Sequence, residues 1–340
     1  MRMIKITGGN MRIIKITGIL LGVIVLVVSL IFIYLNRGLT HEIKPADFNC
    51  FSLEKGTFKD FETLPTNIYG IGLAYAGHIN ETASDFDPDG DPPVFIKANN
   101  SITKDRNNVK IPSRKRMLDA LEQLESGISK TVNQKFKSLP PLLDYEVELG
   151  FVLLENISKE NLKDANYIPK IGFFIANDLS ARSLAILGEG QYNRYDYWGV
   201  SKSFLGFTPI SEKVWIPNEF KANSIPCILI ETQVNGEVRQ HQLTSDLIYT
   251  PLQMLQTIHR KYPNKPLLKG DMVLTGTPGG VIMSTPRWLV RLTGILGMDR
   301  FDKLTKVTSD EKDIAKFLKA GDKVLVKGEG LGSVEVNIVD

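Results

Sequence analysis

From Thr66 to the C-terminus, short β-rich runs follow one another with little between them. They read NIYGIGLAY, PPVFIKA, YEVELGFVLL, KIGFFIANDLS, CILIETQVNG, DMVLTG and KVLVKGEGLGSVEVNIV, punctuated by Gly, Pro and Asn. Helical periodicity is confined to 116–126, 250–261, where Pro251 suits a first turn, and 309–320. A doubly wound parallel sheet needs regular alternation of strand and helix, so this pattern excludes it. It predicts an α+β fold, a mixed β-roll or sandwich with flanking helices.

One of these runs carries charge. In PLLDYEVELGFVLLEN, residues 141–156, Glu146 and Glu148 stand two positions apart in an otherwise apolar strand. Side chains at i and i+2 share a face, roughly 7 Å apart along the backbone. Two bare anions there repel each other unless a cation lies between them. A metal is one reading. The other is a solvent-facing side on which Asp144, Glu146 and Glu148 point outward while Tyr145, Val147 and Leu149 point inward, and on this stretch alone the two are equal. Asp178 ends IGFFIAND and opens LSARS. It is either a third oxygen ligand, giving the all-carboxylate set that suits Mg²⁺ or Mn²⁺, or a helix N-cap.

The N-terminus is of another character. Residues 16–35, ITGILLGVIVLVVSLIFIYL, contain no charge, and at ~1.5 Å per residue they could cross a hydrocarbon core of roughly 30 Å. No small-x-small cleavage site follows in YLNRGLTHEIK, which favours an uncleaved signal anchor. Arg2, Lys5, Arg12 and Lys15 precede the run without an acid, so the expected topology is a cytoplasmic segment 1–15, a transmembrane helix 16–35 and an exported remainder. Residues 36–65 are expected to be a linker and a short irregular segment, and 66–340 the main folded domain. MRMIKITG at 1–8 returns as MRIIKITG at 11–18, and no function attaches to the repeat.

The net charge of +3 resides in this N-terminal part, which holds six Lys or Arg and one acid within residues 1–44. The rest is nearly neutral and gives no basic field for nucleic acid. Cys50 and Cys227 could pair in an oxidising compartment, but two cysteines without CxxC spacing fix neither pairing nor metal binding. His78 in YAGHINE stands three residues before Glu81, so on a helical turn the two side chains would meet. The carboxylate would then orient the imidazole as a general base, although such a pair is often only a surface contact.

DYEVEL, followed by ANDLSAR, KSF, VNGEVRQ, GDMVLTGTPGGV and LKAGDKVLVKGEGLGSVEV, resembles the fumarylacetoacetate hydrolase family in this order across about Thr66 to Asp340. The resemblance implies a mixed β-roll, a homodimer, and a divalent metal, Mg²⁺ or Mn²⁺, held by Glu146, Glu148 and Asp178. It further implies a 2-oxo acid substrate of the acylpyruvate or oxaloacetate type, hydrolysed or decarboxylated through a stabilised enolate. Lys202 matches the family's lysine beside the enolate oxygen, Thr277, Arg182 and Lys97 match substrate contacts, and His78 with Glu81 matches a water-activating pair on a lid. An isomerase or hydratase on the same platform, or a protein that binds 2-oxo acids without turnover, are the alternatives.

The chain also departs from the family pattern. It reads GLAY, with Leu73 and Ala74, where relatives read G-R-N-Y, and SARSLA, with Ser183 and Ala185, where many read S-A-R-D-x-Q. These changes remove polar groups from the expected lid and pocket. Residues 281–316 are an insertion, and its basic-edged apolar stretch 286–298 is expected either to lie on the bilayer or to cover the dimer interface or pocket.

Overall fold

The computed structural model describes residues 8–36, 43–81, 90–102, 107–283 and 287–340, and for 8–18, 36, 80, 81 and 287 the backbone alone. The larger sheet has seven strands in the order Gly56–Asp60, Lys213–Pro217, Ile171–Asn177, Val147–Leu153, Met272–Leu274, Ile68–Ile71 and Val94–Lys97. Every neighbouring pair is antiparallel except Met272–Leu274 with Ile68–Ile71. Its strands are apolar at successive positions because both faces are covered. Phe151, Phe173 and Ile175 enter the main core, while Val152, Phe174 and Ala176 enter a second cluster with Ile68, Met272 and Leu274.

The sheet curls into a roll. Lys97, at the end of one edge strand, contacts Asp178, which follows a strand four places away in the sheet order. In a flat sheet that separation would be roughly 19 Å, beyond the reach of a lysine. Across the seam Thr208 N donates to Ser101 O at 2.9 Å. The second cluster fills the inside of the roll. A Cβ on Gly150 would lie 2.4 Å from the Phe174 ring, so the bare backbone there admits an aromatic ring.

A five-stranded sheet packs on the outer face, in the order Glu237–Leu243, Leu229–Val234, Lys323–Gly328, Gly332–Val339 and Asn108–Lys110. Its first two strands turn at Asn235 and Gly236, both left-handed, as a tight hairpin requires. The strand-dominated α+β architecture thus agrees with the sequence pattern. The Gly56–Asp60 strand and the short Asn49–Phe51 strand come from the stretch expected to be irregular. Asn49–Phe51 pairs with Ser224–Pro226, and there Cys50 and Cys227 form a disulfide.

Two expected helices are present, as Arg114–Leu124 and Pro251–Lys261, the latter capped reciprocally by Thr250 and Gln253. The helix expected over 309–320 is replaced by Arg300–Thr308 and a single turn, Glu311–Ile314. The carboxylate of Asp299 accepts from Phe301 N and Asp302 N, which starts the helix earlier than apolar periodicity suggests.

The single-pass anchor is not upheld. Residues 8–36 are helical, but the side chains of 16–18 lie outside the described ones, and among the described residues no helix is long and apolar enough to cross a membrane. The membrane localisation and the exported catalytic domain inferred from that span fall with it. Nor is bilayer contact by 286–298 supported. The helix Arg287–Ile295 packs instead against the N-terminal helix, with Arg291 donating to Tyr34 O at 2.9 Å.

Candidate metal and acid–base centre

The acids at the mouth of the roll are buried, not solvent-facing: Asp144, Glu146, Glu148 and Asp178 are all at most 5% exposed. The strand expected to run unbroken through them is interrupted at Tyr145 and Glu146. Leu143–Asp144 turns aside to pair with Ser180–Ala181, while Asn177 Oδ1 accepts from Glu146 N and Gln240 Oε1 from Val147 N. The break leaves i, i+2 spacing intact. One oxygen each from Glu146, Glu148 and Asp178 lies within 4.8 Å of the others. Asp178 is no helix cap, since the following helix, Arg182–Leu187, is preceded by Ala181.

Each carboxylate has a different set of partners. Lys202 Nζ donates to Glu146 Oε2 at 2.6 Å, Asp178 Oδ2 at 2.7 Å and Ser180 Oγ at 2.7 Å, which uses its three protons. Lys97 holds the other oxygen of Asp178 and donates to Phe207 O at 3.2 Å. Arg182 spans Asp144 Oδ2 at 2.8 Å and Glu146 Oε1 at 2.5 Å. Glu148 has no cation within salt-bridge distance among the described residues, and its Oε2 accepts from Gly276 N at 2.7 Å.

The electrostatics follow. Burial pushes the Glu146 carboxyl up, but Lys202 and Arg182 outweigh it and hold the group at about 2. For Glu148, burial and the charges of Asp178 and Glu146 act together and raise it well above the carboxylate range. This repulsion, in a buried all-oxygen set, is what a hard divalent cation relieves. The donor set therefore fits Mg²⁺ or Mn²⁺ and lacks the His or Cys that zinc prefers.

His78 lies on the helix Ala76–Glu81 and lines the same cavity, with Nδ1 buried and without a hydrogen-bond partner among the described residues. Burial lowers it to about 4, with Glu146 opposing, so the imidazole is neutral at neutral pH. The Glu81 side chain lies outside the described residues. The cavity, ≈ 60 Å³ in volume, is completed by Thr277, Arg182 and Lys202 and by apolar Ile71, Leu73, Phe95, Ala185 and Trp198. Thr277 Oγ1 accepts from Gln240 Nε2 at 2.8 Å and donates to Val147 O at 3.2 Å. Lys97 does not line this cavity and is buried behind Asp178.

Sequence reading missed three participants. Asp144 accepts from Tyr145 N, Ile282 N and Met283 N as well as from Arg182, so it positions the arginine and has no oxygen to spare for a metal. Gln240 ties Thr232, Val147 and Thr277 together. Trp198 packs edge-on to Phe95. Only the polar position of Gln240 in a strand hinted at any of this.

Comparison with known proteins agrees with the geometry. An uncharacterized protein of Methanocaldococcus jannaschii is 30% identical over 226 residues, 65% of this chain and 75% of that one. The oxaloacetate tautomerase YisK of Bacillus subtilis is 28% identical over 215 residues, 63% of this chain and 59% of its own length. Among solved structures, fumarylpyruvate hydrolase from Pseudomonas aeruginosa, determined with Mn²⁺ and pyruvate, shares the fold with a TM-score of 0.52 at 20% identity, covering 86% of this chain and 99% of that one. The profile of the fumarylacetoacetate (FAA) hydrolase C-terminal family matches residues 67–339, a span that holds all three converging carboxylates and every strand of the roll but the first, and the chain belongs to that family.

Proposed function

We propose that the protein is a divalent-metal-dependent enzyme that hydrolyses or decarboxylates a 2-oxo acid. The observation that carries this is the convergence of the buried acids Glu146, Glu148 and Asp178, the first two of which line a cavity whose wall also presents the neutral imidazole of His78. Glu146, Glu148 and Asp178 would hold the metal. When bound, the cation supplies a Lewis acid that polarises the 2-oxo carbonyl and offsets charge developing on its oxygen.

The remaining roles belong to side chains. His78, neutral and without a partner at Nδ1, accepts a proton from water or from the carbon next to the carbonyl. Glu81, one turn further along the same helix, is the residue whose spacing suits orienting it. Lys202 places a fixed positive charge beside the developing oxyanion, and donating to it directly would mean exchanging its neutral partner, Ser180. Arg182, held by Asp144, fixes Glu146 and lines the substrate space, which Thr277 lines as well.

A tautomerase or isomerase is the second reading, favoured by the name of the Bacillus relative and by the same unpartnered base. The test is loss of ultraviolet absorbance from acylpyruvates and oxaloacetate with Mg²⁺, with Mn²⁺ and with chelator. Pyruvate release should accompany the loss, and Glu146→Ala and His78→Ala should abolish both. Metal-dependent exchange of the C3 proton without pyruvate would select the tautomerase. Ligand binding without either would mean the site no longer turns over.

A further inference from the structure

Part of the cavity wall is apolar and fixed. Leu73 stands at the root of the lid helix with φ of 54°, a conformation that constrains its side chain. Trp198 is held edge-on by Phe95 and Tyr195 at centroid distances of 6.2 and 5.5 Å. It lies so close to Gly72 that a Cβ there would be 2.7 Å from the indole. Phe95 and Ala185 complete this wall.

Charge and size then act together. The two cations that line the cavity, Arg182 and Lys202, each already face two carboxylates. A second carboxylate on the substrate would be desolvated against Leu73 and Trp198 with no uncompensated cation in the lining of the cavity, since Arg194, whose guanidinium lies over the Trp198 ring at 5.2 Å, does not line it. The cavity volume of ≈ 60 Å³ is far below the several hundred Å³ of pockets for larger ligands.

We propose that Leu73 and Trp198 restrict the site to short 2-oxo monocarboxylates with a small apolar tail and reject 2-oxo dicarboxylates. This rests on the functional reading above and narrows it to the short acylpyruvate side of that substrate class. Leu73 and Trp198 act through shape and lack of polarity, not as catalytic residues.

The test is ligand binding to the Mn²⁺-loaded full chain, read from water-proton relaxation without turnover. The probes are 2-oxobutanoate and 2,4-dioxopentanoate against oxaloacetate and 2-oxoglutarate. The expected result is binding of the two monocarboxylates with the dicarboxylates at least ~50-fold weaker. Leu73→Arg, which puts a cation on a half-exposed position of the wall, should bring the dicarboxylates to within a few-fold, and Trp198→Phe should admit longer monocarboxylates. Equal affinity for both classes, or an unchanged ratio in Leu73→Arg, overturns the proposal while leaving the metal-enzyme reading in place. Failure of Mn²⁺ to bind in a manner dependent on Glu146 overturns both.

Discussion

The ammonium of Lys202 lies 2.7 Å from Asp178 Oδ2, so one of the acids that converge for a metal already shares its charge with a buried lysine. The two cations compete for the same electrons. Lys202→Met should therefore strengthen Mn²⁺ binding by about 10-fold or more, since charges a few ångströms apart interact by several kcal/mol at an effective dielectric near 20. The metal-free protein should lose about 3–5 kcal/mol, the cost of leaving buried carboxylates without a partner. Turnover should fall by roughly 10²-fold or more as the oxyanion loses its second positive neighbour. Calorimetric titration with Mn²⁺, melting in chelator and steady-state rates check the three parts. Weaker metal binding in the variant would show that Lys202 organises the acids rather than opposing the cation.

His78 gives the pH dependence. Burial places it at about 4, against an ordinary value near 6.5. The basic form is thus populated throughout the neutral range, and the acid limb of kcat/KM should lie near 4 to 5. The same depression sets a stability effect with a definite sign. A group lowered by folding contributes stability above its unfolded value, which is lost as pH falls from about 6.5 toward 4, here at most about 3 kcal/mol. Rate profiles of the native protein, and denaturant melts of it and of His78→Ala, test this. An acid limb at 6.5 in the native protein would mean that the imidazole is solvated in solution.

The strands and the shared face of Glu146 and Glu148 were legible because both depend on local order, whereas Asp178 joined them only through the family resemblance. Alternation at i and i+2 put Glu146 and Glu148 on one face even though the strand is interrupted at Tyr145 and Glu146. What could not be read was everything that the roll brings together. Lys97 and Asp178 are 81 residues apart in sequence and meet only because a seven-stranded sheet closes on itself. Asp144 looked like a further surface acid, and its three backbone donors come from two separate loops. The membrane span was inferred from composition alone, which counts apolar residues but does not report how a helix is used. Pairing of two cysteines likewise depends on tertiary contact.

That pairing is itself testable. The bridge from Cys50 to Cys227 closes a loop with a sequence separation of 177 residues and ties the segment before the roll to the start of the outer sheet. Constraining so long a loop in the unfolded chain stabilises the fold by about 3–5 kcal/mol in the chain-entropy account. Reductant should lower the melting temperature of the native protein and leave Cys50→Ser/Cys227→Ser unaffected, already melting at the lower value. Metal affinity should be unchanged in both, because the bridge lies outside the acid triad. Identical melting with and without reductant would place the bond outside the cooperative unit.

Glu146 and Glu148, two residues apart, should respond to the same isosteric change with opposite signs. Glu146 is held at about 2 by Lys202 and Arg182, so its ionised form stabilises the fold, and that contribution is lost only as pH falls below about 4.5. Glu148 is raised by burial and by Asp178 and Glu146, so its ionised form costs stability at neutral pH when no cation is present. In chelator at pH 7.5, Glu148→Gln should therefore raise the melting temperature by about 2–4 °C, the shift expected for roughly 1 kcal/mol in a protein of this size. Its side-chain oxygen can still accept from Gly276 N. Glu146→Gln should lower the melting temperature, because two buried cations lose half their countercharge. With saturating Mn²⁺ the native protein should gain stability and both variants should lose most of that gain, since each has given up a ligand carboxylate. A Glu148→Gln variant that is destabilised in chelator would mean that the charge of Glu148 is already balanced without a metal, and the triad would then be an internal ion network rather than a cation site.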